Sequence, residues 1–226
     1  MTADLVAGTA LIPVAALSLR EVRQRRELPF ALLPAIFAVH QFLEVAVWAG
    51  LDGDVSAGVA NLAMRAYLFI AWPLLPTYVP LAVLMLEPRD ARRRVAPFVA
   101  LGAIVSAYLA FVVLINPVEV IRHSHGLEYD TVVHHPIVWA VLYVVAVIGA
   151  PLMSGYRSIV AFGALNLVGL VLVAVFYTKA FASLWCVFAA ASSLLILVHM
   201  VRRRRLPDAD RLNGGRLDIA LASLAR

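Results

Sequence analysis

Four side chains in one apolar stretch have the types and the spacing of a binding site. His40, Glu44 and Trp48 recur every four residues, and Gln41 directly follows the first of them. Residues four apart share one face of an α-helix, so the spacing predicts an imidazole, a carboxylate, an amide and an indole on a single helix surface. Ionisable groups inside apolar helices are costly and tend to be functional. This set favours binding of a small ligand or an ion, with Glu44 as its carboxylate and His40 as a titrating or coordinating group.

Arg65 lies in the next apolar stretch, at an estimated depth similar to that of Glu44. An arginine and a glutamate on sequential antiparallel helices are natural partners, because either charge alone would be costly in an apolar setting. We therefore expect Glu44 and Arg65 to form a pair. The pair is either a structural ion pair that fixes helix packing or part of a ligand site.

A second group of polar residues lies in the polar segment between Asn116 and Pro136. Imidazole and carboxylate groups are suitable ligands for zinc, copper, iron or nickel. Their spacing matches no established zinc signature, so a divalent metal site and a merely hydrated loop both remain open. The candidate metal ligands are His123, His125, His134 and His135, with Glu128 and Asp130 nearby.

Three prolines, Pro73, Pro76 and Pro80, interrupt one apolar stretch. Each proline removes a backbone hydrogen bond and leaves a carbonyl one turn earlier unpaired. Within a membrane such a break is tolerated where other helices, side chains or water satisfy it. The pattern predicts either a packing kink or a carbonyl-lined ion site.

The composition places these residues in an all-α, polytopic membrane helix bundle. The chain is 63% hydrophobic and 15% charged, whereas a soluble domain has about 45–50% apolar and about 25% charged residues. A membrane-crossing helix needs roughly 20 mostly apolar residues. Seven runs approach that length, which predicts seven transmembrane helices at residues 5–20, 28–50, 57–86, 95–115, 136–153, 158–177 and 180–201.

The distribution of basic residues predicts the orientation of the bundle. Of the 19 Lys and Arg residues, Arg65, Arg122 and Lys179 fall on one side of a seven-span arrangement, and the remaining sixteen fall on the other. The positive-inside rule places the larger group in the cytoplasm, so the N-terminus lies outside a cell membrane that the chain crosses repeatedly. The net charge of +5 therefore needs no nucleic-acid partner, and the run Arg202–Arg205 is expected to contact anionic lipid.

The expected organisation is a transmembrane domain over residues 1–205 and a cytoplasmic tail over residues 206–226. The one cysteine, Cys186, lies within an apolar run. An intrachain disulfide is therefore impossible, and zinc sites built from several cysteines are excluded.

Over nearly its whole length the chain resembles DUF6629, an uncharacterised family of bacterial, actinobacterial-type integral membrane proteins. The family's cysteine near the start is missing, since this chain begins Met1-Thr2-Ala3-Asp4. The resemblance implies no activity, but it suggests that Glu44, Trp48, Trp185 and the outer loop are family features. The segments that carry the resemblance are Asp4-Leu5-Val6-Ala7-Gly8, His40-Gln41-x-x-Glu44-x-x-x-Trp48, His125-x-Leu127-x-Tyr129, Ser154-Gly155-x-Arg157, Phe162-Gly163 and Phe181-Ala182-Ser183-Leu184-Trp185-Cys186.

Three functions follow as expectations. The first is a small transporter or sensor in the lipid bilayer that binds a small molecule or ion. Its site would open outward and consist of His40, Gln41, Glu44, Trp48, Arg65 and Trp185. The second is a metal-dependent membrane enzyme that uses the histidine-rich loop. The third is a structural or assembly subunit with no ligand.

Overall fold

The computed structural model describes residues 1–89, 91–123, 126–176, 188 and 190–205, and most of them are helical. In chain order the elements are α1 (Thr2–Arg20), a 3₁₀ turn (Arg25–Glu27), α2 (Leu28–Asp52), α3 (Ala57–Phe69), a π-helical segment (Ile70–Leu74), α4 (Leu75–Leu86), α5 (Arg92–Ile115), β1 (Glu119–His123), β2 (Gly126–Asp130), α6 (Pro136–Leu152), α7 (Arg157–Phe176) and α8 (Leu194–Arg205).

Local signals explain where α2 ends and α3 begins. Gly53 terminates α2 with φ +82°, a left-handed conformation that glycine adopts without a steric penalty. Ser56 then caps α3, because its hydroxyl accepts a hydrogen bond from the Val59 amide at 3.4 Å. The two helices are therefore joined by a tight turn and run antiparallel.

The proline-rich stretch forms one long helix with an internal change of winding. Residues 57–86 are helical throughout, as the run of apolar residues predicts, and the π-helical segment lies between α3 and α4. Pro73 lies inside that segment, and Pro76 opens α4. The sequence predicted a break here, and the structure shows it as a local π-bulge.

Five helices of the described residues are long and apolar enough to cross a membrane: Thr2–Arg20, Arg25–Asp52, Ala57–Leu86, Arg92–Ile115 and Arg157–Phe176. The apolar helix α6 is shorter, with 17 residues. Residues 180–187 and 189 of the seventh expected span lie outside the described residues, and so do Cys186 and the tail from residue 206.

The bundle has two chemically different ends. We call one the arginine end, because it holds Arg20, Arg25, Arg92, Arg157 and Arg203 at the ends of successive helices. We call the other the hairpin end, because β1 and β2 form an antiparallel hairpin there, with Glu119 opposite Asp130 and His123 opposite Gly126. The expectation of a loop between α5 and α6 missed these two strands.

The contact between α4 and α5 requires glycine at one position. A Cβ atom on Gly102 would lie 1.8 Å from the carbonyl oxygen of Pro76, which is far inside van der Waals contact. One turn further along α5, the hydroxyl of Ser106 shares a hydrogen bond with that of Thr77 at 2.7 Å. Small residues let the two backbones approach, as is common between membrane helices.

Candidate functional site

The polar face predicted on α2 is present, and it lies inside the bundle. His40 is 1% exposed, and Gln41 and Glu44 are fully buried. Gln41 packs toward α1, because a Cβ atom on Gly8 would lie 3.2 Å from the Gln41 Cβ. The face is therefore covered by neighbouring helices.

Two tyrosines continue from His40 toward the hairpin. The imidazole of His40 stacks on the ring of Tyr67 in α3, with centroids 3.9 Å apart and an interplanar angle of 27°. Tyr67 in turn stacks on Tyr129 of β2, at 4.7 Å and 22°. The three rings form a column that we call the ring stack, and it links α2, α3 and the hairpin.

Trp48 lies at the hairpin end of the same α2 face and is held by the hairpin. The guanidinium carbon of Arg122 lies 5.1 Å from the centre of the Trp48 ring, which is a cation–π contact. The same guanidinium forms a salt bridge with Asp52 at 2.5 Å. Arg122 thus connects β1 to the last two turns of α2.

Several polar atoms on this face have no hydrogen-bond partner within the part of the chain that the structure describes. They are both amide atoms of Gln41 and the indole nitrogen of Trp48. Buried polar groups are nearly always satisfied by protein or by ordered water. This face is therefore a place for bound water or a polar ligand group.

Arg65 does not complete the predicted pair. Its guanidinium donates hydrogen bonds to Asn61 Oδ1 and to the carbonyl of Val113, both at 3.1 Å. No ion pair joins it to Glu44, although both residues are described. The expectation of this pair was wrong, because similar depth does not fix the direction in which a side chain leaves its helix. Tyr67 occupies the position opposite His40, and Arg65 faces α5.

The histidines between α5 and α6 have separate roles. His123 contacts Glu128 at 2.5 Å between its Nε2 and a carboxylate oxygen. The backbone of His134 exchanges hydrogen bonds with the Tyr108 hydroxyl, and His135 precedes α6 with φ +54°. No group of three or more His, Cys, Asp or Glu among the described residues could hold a metal ion. His125 lies outside the described residues, as does Trp185 of the predicted ligand site.

A cavity of about 550 Å³ lies beside the ring stack, bordered by α4, α5, α6, α7 and β2. Its wall is mostly apolar. Glu128 and Asp130 line it at the hairpin end, and Asn166 lines it from α7. Six aromatic side chains contribute to the wall: Phe37, Trp72, Tyr129, Trp139, Tyr143 and Phe162. Ligand sites in proteins typically combine such an apolar wall with a few polar groups.

The π-helical segment forms part of this cavity. Ala71 and Trp72 belong to the segment and line the cavity. The hydroxyl of Tyr143 in α6 donates a hydrogen bond to the Ala71 carbonyl at 2.6 Å. A side chain thus satisfies a carbonyl within the irregular segment, and π-bulges are frequent at functional sites. The prolines were the signal in the sequence for this part of the site.

Sequence reasoning missed the aromatic residues of the ring stack and of the cavity. Tyr67, Trp139 and Tyr143 look like ordinary apolar positions of a membrane helix, and nothing in their spacing distinguishes them. Tyr129 was noted only as part of a family segment. Its burial beside Leu127 follows from the hairpin, which brings alternate residues of β2 onto the bundle.

Buried polar contacts also join helices at the arginine end. Glu87 is fully buried, and its Oε1 accepts hydrogen bonds from the Ser154 hydroxyl at 2.7 Å and the Gly155 amide at 2.9 Å. Glu27 forms a salt bridge with Arg203 at 3.2 Å. These contacts connect the turn before α7 and the end of α8 to the bundle, at the end opposite the hairpin.

Comparison with known proteins identifies a family and nothing closer. The family described as "Family of unknown function (DUF6629)" matches residues 1–211. No curated protein and no solved structure matches the chain.

Proposed function

Because the chain belongs to DUF6629, a family of unknown function, we propose a role from its geometry: it is a membrane protein that binds a small, largely apolar molecule in the interhelical cavity. The observation that carries the proposal is the cavity of about 550 Å³ with six aromatic side chains in its wall. A concave, largely apolar wall with a few polar groups at one end is typical of small-molecule sites.

The membrane setting is part of the proposal. Large apolar side chains point away from the bundle, including Leu62 at 71% exposure, Ile137 at 78% and Phe176 at 70%. Exposed apolar surface on this scale suits contact with lipid. We place seven spans in a cell membrane, with α6 as the fifth span, α7 as the sixth and the segment that ends in α8 as the seventh. The arginine end lies in the cytoplasm, and the hairpin end and the N-terminus lie outside.

The cavity's connection to the α2 polar face favours a role in sensing or transport. Tyr129 belongs to both features, since it lines the cavity and ends the ring stack. A ligand that contacts Tyr129 also acts on Tyr67 and through it on His40. The buried face with Glu44 would then register occupancy of the cavity. In this proposal the ligand binds in the cavity beside the α2 polar face, whereas the sequence predicted that the ligand binds at the α2 face itself.

A binding experiment with a matched pair of variants tests the proposal. Ala140 and Val144 lie one turn apart on α6 and line the cavity. Val141 and Val145 are their immediate neighbours on the exposed face, at 55% and 42% exposure. The protein is reconstituted in lipid nanodiscs and titrated with the neutral apolar dye N-phenyl-1-naphthylamine. Energy transfer from tryptophan reports binding, because Trp72 and Trp139 line the cavity.

The double variant Ala140→Phe/Val144→Phe fills the cavity without adding a tryptophan donor. We expect it to weaken dye binding at least tenfold, which corresponds to about 1.4 kcal/mol. The control Val141→Phe/Val145→Phe should bind as the wild type does. Empty nanodiscs supply the background of dye dissolved in lipid. Equal binding by the two double variants would reject the cavity as a ligand site and would favour a structural role.

A further inference from the structure

The two faces of β2 differ in charge. Leu127 and Tyr129 are buried against the bundle, and Glu128 and Asp130 alternate with them on the other face. Asp130 lies directly opposite Glu119 in the hairpin register. Like charges in directly opposed positions are unfavourable, and a cation beside them would relieve the repulsion. Glu128 and Asp130 also line the cavity, so that cation would lie at the hairpin end of the cavity, which we call its mouth.

Among the described residues, no lysine or arginine forms an ion pair with these two carboxylates. Arg122 lies on the opposite face of the hairpin, where Asp52 and Trp48 engage it. Glu128 contacts His123, an imidazole that carries charge only when protonated. Asp130 is exposed and forms no ion pair among the described residues. The described wall of the cavity contains two carboxylates and no lysine or arginine.

Aromatic rings next to the carboxylates suit the same kind of ligand. Trp139 lies one turn into α6, and its ring stacks on Tyr108 with centroids 3.9 Å apart and an angle of 8°. The Tyr108 hydroxyl is itself held by the backbone of His134. Trp139 is therefore fixed in place beside the cavity. The faces of tryptophan and tyrosine attract alkylated ammonium groups, with an energy of roughly 0.5–2 kcal/mol.

The rest of the described cavity wall is mostly apolar. Pro136 and Pro151 both line it, and fifteen residues of helix separate their positions by about 22 Å, so the cavity is long enough for an extended ligand. At the far end, the amide nitrogen of Asn166 already donates to the Phe162 carbonyl and the Ser192 hydroxyl, each at 2.8 Å.

From this geometry, and resting on the proposed function, we infer that the ligand is an amphiphile with a cationic head, either an amine or a quaternary ammonium group. The head lies between Asp130, Glu128 and the Trp139 ring, and the apolar part runs along α6 toward Pro151. The argument requires the cavity and its aromatic wall as well as the two carboxylates. Carboxylates on an exposed hairpin would otherwise be only a hydrated surface.

Displacement of the neutral dye by three dodecyl compounds tests the charge of the head. Dodecyltrimethylammonium, dodecanol and dodecanoate share one chain and differ in charge, and each is used below its micelle-forming concentration in nanodiscs of zwitterionic lipid. The cation should displace the dye at a concentration at least tenfold lower than dodecanol or dodecanoate. Raising the salt concentration should reduce this advantage, because the carboxylates at the mouth are partly exposed.

Asp130→Asn should reduce the cation's advantage over dodecanol at least threefold, with both displacements referred to the dye affinity of the same variant. Asp54→Asn is the matched control, since Asp54 is an exposed carboxylate at the same end of the bundle and does not line the cavity. Displacement by dodecanol at concentrations equal to or below those of the cation would overturn the inference. An equal effect of the two substitutions would also overturn it. In both cases the dye still binds, and the proposed function stands. Equal dye binding by Ala140→Phe/Val144→Phe and Val141→Phe/Val145→Phe would instead reject the proposed function. This inference would then be rejected with it.

Discussion

The ring of Tyr67 stacks on the ring of Tyr129 at 4.7 Å, and this contact joins α3 to the hairpin. Both side chains are buried, at 0% and 8% exposure, within one apolar cluster at the hairpin end. The same Tyr67 ring covers His40 on its other side. The hairpin is therefore packed into the bundle as part of its core, and the cavity wall depends on it.

Removing the Tyr129 ring should loosen the hairpin. Tyr129→Ala deletes a buried aromatic side chain, and such changes typically cost about 3–5 kcal/mol. Tyr129→Phe keeps the stacked ring and should cost less than about 1.5 kcal/mol. Thermal unfolding in nanodiscs compares the two variants with the wild type. Similar destabilisation by alanine and phenylalanine would show that the hydroxyl, and not the stacked ring, holds the hairpin.

Glu44 and Arg65 should behave as independent sites. Arg65 donates to Asn61 and Val113 and forms no ion pair with Glu44. The destabilisation caused by Glu44→Gln and by Arg65→Met should therefore add in the double variant to within about 0.5 kcal/mol. A thermal-melt cycle over the four proteins measures this sum. A coupling energy above about 1 kcal/mol would indicate that the two charges interact, as the sequence alone suggested.

Gly102 should tolerate no side chain. An alanine Cβ at this position would lie 1.8 Å from the Pro76 carbonyl oxygen, so α4 and α5 would have to separate. Gly58 is a helical glycine with nothing within 4 Å of an added Cβ, and it provides the control. Gly102→Ala should lower the melting temperature strongly, and Gly58→Ala should leave it unchanged or raise it slightly. Equal melting temperatures would contradict the close approach of α4 and α5.

Glu87 should stabilise the packing of the helices at the arginine end. Its carboxylate accepts hydrogen bonds from Ser154 and Gly155 in a fully buried position. Replacing it with leucine leaves the Ser154 hydroxyl and the Gly155 amide without an acceptor, at a cost of about 1–3 kcal/mol for each. Ser154→Ala removes one donor and should cost less than Glu87→Leu. Limited proteolysis of the turn before α7, together with thermal unfolding, checks the order of the two variants, and the reverse order would contradict this role for Glu87.

The proposed orientation predicts opposite labelling of the two ends. With Cys186 replaced by serine, a cysteine at His134 should react with a membrane-impermeant maleimide in intact cells. A cysteine at Arg93 should react only after the membrane is permeabilised. Both positions are partly or fully exposed in the structure. Labelling of Arg93→Cys alone in intact cells would reverse the orientation, and labelling of both positions would contradict a membrane crossing by α5.

The helices could be predicted from the sequence, because apolar runs and their boundaries are local properties. The run 57–86 coincides with the helix Ala57–Leu86, and the prolines within it indicated the irregular winding. The spacing also predicted that His40 and Glu44 share one face of α2, and both are buried there. The rotation of a helix about its own axis relative to its neighbours is set by packing and not by the local sequence. For this reason the sequence suggested a pair between Arg65 and Glu44, whereas Arg65 bonds to α5.

The cavity could not have been predicted in the same way. Its wall combines residues from five helices and from β2, and a void between helices leaves no pattern in any one of them. Tyr143 illustrates the difficulty, because its hydroxyl bonds to a carbonyl 72 residues earlier in the chain. The hairpin had a weak signal at best, since its strands are five residues each and rich in charged side chains.

Photocrosslinking with a neutral alkyl diazirine tests most directly whether the cavity is the binding site. The reconstituted protein is irradiated with the probe, and the labelled residues are identified by peptide mass spectrometry with and without competing dye. We predict competable labelling of Trp72, Tyr143 and other residues of the cavity wall. Lipid-facing residues such as Val141 and Phe176 should be labelled without competition. Labelling confined to those lipid-facing residues would contradict the proposal that the cavity binds an apolar molecule.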